Sequence, residues 1–158
     1  MNGGGAPDVR ESGKEAGAAV RPGPGTIMSS QDEGLAHLLE AFQAEAAGAR
    51  HVLALSRDGL KICRSPGLDA DRADQLAAIA SGIQSLAVSA SAEFGRGIGA
   101  GQALVEFPGG MLLVVPAGDG ANLAVVADAD ADVGRVVHAM NDLVARLGAR
   151  LSAAPRRP

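Results

Sequence analysis

Tryptophan and tyrosine are absent from this chain, and phenylalanine occurs only three times. A core without aromatic rings has to be aliphatic, with small side chains packed closely. The same lack removes the stacking platforms that single-stranded nucleic acid uses. Cysteine occurs once, at Cys63, which excludes an internal disulfide and a cysteine-based zinc site and fits a reducing cytoplasm. The three histidines, His37, His51 and His138, share no metal-ligand spacing, and no HExxH or His-x-His occurs. No basic block is present. Lys and Arg number 14 against 18 Asp and Glu, a net charge of −4, and the Arg156–Arg157 pair is too short to supply a nucleic-acid footprint. The first thirty residues contain no apolar h-region, so no secretory signal is expected. The longest uncharged stretch, 75–92, has the length of a membrane span. Gln75, Ser81, Gln84, Ser85 and Ser89 make it too polar to be one.

Catalytic and phosphate-binding motifs are equally scarce. Gly13-Lys14 is followed by Glu15 rather than Ser or Thr, and no strand precedes it, so it is not a Walker loop. No G-x-S-x-G elbow occurs. Asp128, Asp130 and Asp132 alternate as in a calcium loop, but the required Gly and Glu positions hold Val133 and Ala139. The run "GRGIGAG" places Ala100 and Gln102 where the last Gly of G-x-G-x-x-G belongs, and it follows a helix instead of preceding one. Cys63 falls within a strand, where a small hydrophobe is expected rather than a nucleophile. These exclusions lead to the expectation of a protein that is not an enzyme and uses no metal or cofactor.

What is present divides cleanly. "MNGGGAPDVRESGKEAGAAVRPGPGT" is rich in Gly, Pro and charge with little apolar mass, so residues 1–29 are expected to be a disordered leader. Residues 30–152 are expected to form one domain and 153–158 a flexible tail. Ser30 and Glu33 have capping-box spacing, Leu35, Leu38, Leu39 and Phe42 form one helical stripe, and Gly48 is a natural stop. Two short apolar runs, 51–56 and 60–64, flank Asp58-Gly59, a hairpin signal in which both residues tolerate positive φ. A second helix follows, capped by Asp69 or Asp71. Three runs at 102–107, 111–115 and 121–127, separated by "PGG" and "AGDG", read as an antiparallel meander. A third helix starts near Asp130 or Asp132. Its apolar stripe is Val133, Val136, Val137, Met140, Leu143, Val144, Leu147 and Leu151, with Arg135, His138, Asp142, Arg146 and Arg150 facing away. The fold class is therefore α+β, with a five-stranded, mainly antiparallel sheet and three helices. The order is helix, strand, strand, helix, strand, strand, strand, helix.

The second helix differs from the third. Leu76, Ile79, Ala80, Ile83, Leu86, Ala87 and Ala90 gather on one side and are expected to cover the sheet. The other side carries Ala77, Ser81, Gln84, Ser85, Val88 and Ser89, flanked by Ala78 and Gly82, with no charge at all. Because the third helix carries charge on its outer face, composition alone does not explain this, and charge depletion marks interface cores.

The element order, "LSRDGLKICRSPGLDADRADQLAAIASGIQSLA" and "VEFPGGMLLVVPAGDGANLAVVADADADVGRVVHAM" resemble the Roadblock / dynein light chain family, and within it the actinobacterial members encoded in conservons. The resemblance spans Gly34 to Leu151. It implies a Roadblock/profilin-like fold and a non-enzymatic module that dimerises by pairing the third strand, here Gln102, Ala103, Leu104, Val105, Glu106 and Phe107, with the second helices side by side. It further implies a Ras-like small GTPase as partner, docked on the second helix at Ala77, Ala78, Ser81, Gly82 and Ser85, and possible association with a sensor histidine kinase complex. On this reading the protein is a homodimer or heterodimer in the cytoplasm, held near a membrane only through partners. Arg96 is the sole candidate for an arginine finger. A small-ligand sensing domain is the alternative that the residues leave open.

Overall fold

The computed structural model describes residues 30–97 and 101–152. The expected leader and tail lie outside the described residues. The elements run α1 (Ser30–Glu45), β1 (Ala49–Ser56), β2 (Lys61–Arg64), α2 (Ala70–Phe94), β3 (Ala103–Phe107), β4 (Gly110–Pro116), β5 (Ala121–Asp128) and α3 (Val133–Ser152). This is the expected order, with strand ends moved by one or two residues and Gln102 lying just before β3. The five strands form one sheet in the order β2-β1-β5-β4-β3, and every neighbouring pair is antiparallel.

Local chemistry sets the joints. Asp69 caps α2 by accepting a hydrogen bond from the Arg72 backbone N–H at 2.8 Å, and Gly95 ends it. Asp132 Oδ1 accepts from the Arg135 N–H at 3.2 Å, so Asp132 rather than Asp130 caps α3. In the β1–β2 hairpin only Gly59 takes positive φ, at +83°; Asp58 does not. The Gly59 N–H donates to the Ser56 carbonyl and the Ser56 N–H to the Leu60 carbonyl, and the register shifts at Ala54/Leu55. The turn thus falls between the two expected runs, and the strand register carries a bulge at Ala54/Leu55.

Alternation along the strands gives the sheet two apolar faces. On one, Val52, Leu113, Val115, Leu123 and Val125 meet Leu39 and Phe42 of α1 and Met140, Leu143 and Leu147 of α3. On the other, Leu53, Leu55, Leu112, Val114 and Ala124 meet α2 and Leu68 just before it. Two helices thus cover the first face and one helix the second. Arg50 ties the far end of the sheet: it pairs with Asp128 at 3.1 Å and donates to the carbonyls of Gly109 and Ala127 at 3.0 and 3.2 Å.

Candidate functional site: the outer faces of helix α2 and the edge of strand β3

Helix α2 is turned relative to the expectation. Its sheet-facing residues are Ala73, Leu76, Ala77, Ala80 and Gln84, while Ile79 is 54% and Leu86 72% exposed. The sheet below explains the choice. It presents large side chains, Leu53, Leu55, Leu112 and Val114, and the small face of α2 can approach them closely without voids. The larger apolar residues are left outside. Ala77, expected on a docking surface, is fully buried, so that assignment is corrected.

The other expected docking residues separate into two environments. Ala78, Gly82 and Ser85 are exposed on the helix surface pointing away from the sheet. Nothing lies within 4 Å of a side chain built at Gly82. Ser81 is half-buried, donates to the Arg57 carbonyl at 2.8 Å, and sits close against Gly59 at the hairpin tip. It joins α2 to the hairpin rather than standing free. Gln84, also expected on the outer side, is buried and donates to the Gly101 carbonyl at 3.0 Å.

Strand β3 pairs with β4 on one side only and is an edge of the sheet. Leu104, Val105 and Phe107 are exposed, as is Glu106, and Ala103 is half-buried. Val105 and Ala103 lie opposite Leu112 and Val114, so they face the α2 side. Ala103 and Ile83 of α2 both pack against the core cluster on that face. By helical period Ile79 and Leu86 share the side of α2 that carries Ile83, and Leu104, Val105 and Phe107 are exposed on the β3 edge. Sequence reasoning assigned Ile79 and Leu86 to the core, and the only signal for their exposure was that both sides of α2 are apolar.

Among the described residues no group of three or more His, Cys, Asp or Glu could hold a metal ion, and no helix is long and apolar enough to cross a membrane. Cys63 is half-buried, and burial raises its thiol pKa, so it is held in the unreactive protonated form. His51 is shifted down by burial first and then by Arg72 and Arg50, against the pull of Asp69. Arg96, just beyond α2, is exposed.

An open sheet edge, a sheet face covered by α2 and an uncharged stretch of helix surface stand together in a profilin-like α+β fold. The chain belongs to the Roadblock/LC7 domain family, whose model matches residues 35–127. A Roadblock/LC7 domain structure from Streptomyces avermitilis is 36% identical, with a TM-score of 0.71 over 75% of this chain and 98% of that one. The gliding protein MglB from Thermus thermophilus is 21% identical with a TM-score of 0.71, covering 81% of this chain and 96% of that one. Profilin IB from Acanthamoeba castellanii shares the fold at 13% identity and a TM-score of 0.51, over 73% of this chain and 98% of that one. No protein with a curated description matches.

Proposed function

We propose that this protein is a dimeric, non-enzymatic module that binds a Ras-like small GTPase and regulates or scaffolds it in a bacterial signalling system. The observation that carries the reading is the division of α2 into a buried small-residue face, an exposed apolar flank and an exposed uncharged outer surface. Each outward part suits a different protein partner.

The flank suits a second copy of the chain. Ile79 and Leu86 are exposed on the side of α2 that carries Ile83, and an unpaired edge strand with exposed Leu104, Val105 and Phe107 is a liability unless covered. Pairing of β3 with its symmetry mate, backed by the two α2 flanks, satisfies the edge and buries the apolar residues in one isologous contact. A solved MglB structure has a tetrameric arrangement, which supports assembly as a habit of this fold.

The outer surface suits the GTPase. Ala78, Gly82 and Ser85 are small and exposed, so a partner backbone can approach closely, and two copies side by side double the area. Ala77 has no part in it. Any effect on hydrolysis comes from repositioning the GTPase's own groups. No feature of the described residues points to a sensor kinase. The test is affinity capture from native lysate with tagged protein in GTP-analogue and GDP buffers, read by mass spectrometry. A small GTPase enriched in one nucleotide state supports regulation, and equal recovery in both supports a scaffold. Recovery of the protein alone contradicts the reading.

A further inference from the structure

The sheet has two edges, and the proposed dimer covers only β3. Strand β2 stands at the other end of the order β2-β1-β5-β4-β3 and pairs with β1 alone. Its outer backbone groups meet no second strand among the described residues. Leu60, just before the strand, is 68% exposed, and Ile62 within it is 40% exposed. Edges of this kind are commonly guarded by free charge. Here the two cations of β2 are drawn sideways to the start of α2. Lys61 pairs with Asp74 at 3.0 Å and donates to the Ala70 carbonyl at 3.4 Å, and Arg64 donates to the Leu68 carbonyl.

Charge and chain geometry limit what can cover this edge. Two β2 strands paired antiparallel across a two-fold axis would set Lys61 and Arg64 of one copy against the same cations of the other. Like charges facing each other across strands are destabilising. The same contact would also join β3-paired dimers end to end without limit. A segment of the chain itself is better placed. Helix α1 packs over β1 and β2, and its Leu35 and Leu39 belong to the core cluster against which Cys63 packs. After burial, the Asp32 carboxylate adds to the upward shift of the Cys63 thiol, so the first turn of α1 lies beside the strand. The chain therefore enters the domain at Ser30 next to the open edge, with residues 1–29 before it. Among those residues Ala16, Gly17, Ala18, Ala19 and Val20 form a run without proline or charge. Residues 21–29 link that run to α1 and extend to about 30 Å, ample for reaching a four-residue strand. The leader has too little apolar mass for a core of its own. A strand added to an existing edge needs none, because main-chain hydrogen bonds supply the affinity. The covalent link adds a high effective concentration.

We propose that residues 16–20 add a sixth strand to the sheet along the outer edge of β2. That strand shields Ile62 and leaves β3 as the open edge, so association by edge pairing stops at two copies. The inference stands on β2 and α1 and holds whether or not a GTPase binds.

The test is residue-resolved amide hydrogen exchange on the full chain, comparing the wild type with the double variant Ala18→Pro/Ala19→Pro. Backbone groups of consecutive strand residues point to opposite sides, so two adjacent prolines remove a donor facing β2 in either register. Both prolines lie outside the folded domain, and the β1 and β5 amides serve as the internal standard. The β2 amides that face away from β1 are expected to exchange about tenfold or more slowly in the wild type than in the variant, at any protein concentration. Equal exchange in the two proteins overturns the inference. So does β2 protection that is lost on dilution, which would mark a second copy as the occupant.

Discussion

Ala77 and Ala78 are neighbours with the same side chain and opposite surroundings. Ala77 is fully buried against the sheet, and Ala78 is exposed. Ala77→Leu should therefore overpack the helix–sheet contact and cost about 1–3 kcal/mol. Ala78→Leu should stay within about 0.5 kcal/mol. Urea denaturation of the two variants distinguishes them. His51 makes a second prediction at this scale. Its folded-state pKa lies below 6.5 because burial and the nearby Arg72 and Arg50 disfavour the imidazolium. The unfolded chain takes up the proton near 6.5 and the folded chain only at lower pH. Stability is thus complete above 6.5 and declines on acidification until the folded-state pKa is passed. His51→Gln should flatten that part of the stability–pH curve in thermal melts. The exposure of Ala78 was legible in the sequence, and the burial of Ala77 was not. Periodicity places residues on faces, but when both faces are apolar it cannot say which one meets the sheet.

At the scale of elements, the sequence was a good guide wherever local chemistry decides. Asp69 and Asp132 cap their helices, and the short turns around Gly109 and Gly118 to Gly120 join the meander. Helix α3, with charge on one side and aliphatic residues on the other, buries the stripe that its period marks, including Val136, Met140, Leu143 and Leu147. Helix α2 escaped because size complementarity, a property of the sheet beneath it, outranked hydrophobicity. Small alanines fit over Leu53, Leu55 and Leu112, and bulk went outward. Gly82 is the sharpest probe of the resulting outer surface. Open space surrounds it, and replacing a glycine inside a helix usually stabilises the helix by about 0.5–1 kcal/mol. Gly82→Arg should keep or raise the melting temperature while abolishing GTPase capture. Ser81 would be a poorer choice, because its hydroxyl joins α2 to the Arg57 carbonyl.

At the scale of the whole molecule, a sheet covered by two helices on one face and one on the other is unbalanced, and its β3 edge is open. On the proposed reading a second copy supplies a strand for that edge. Val105→Lys places a charge on that edge facing the α2 side and should shift the protein toward monomer without unfolding it. The direct measurement is sedimentation equilibrium of the wild-type chain and Val105→Lys at tens of micromolar. The account predicts a wild-type mass of twice the 15.7 kDa chain and a variant near 15.7 kDa. A wild-type protein that remains monomeric at that concentration, or a dimer that Val105→Lys leaves intact, would contradict it.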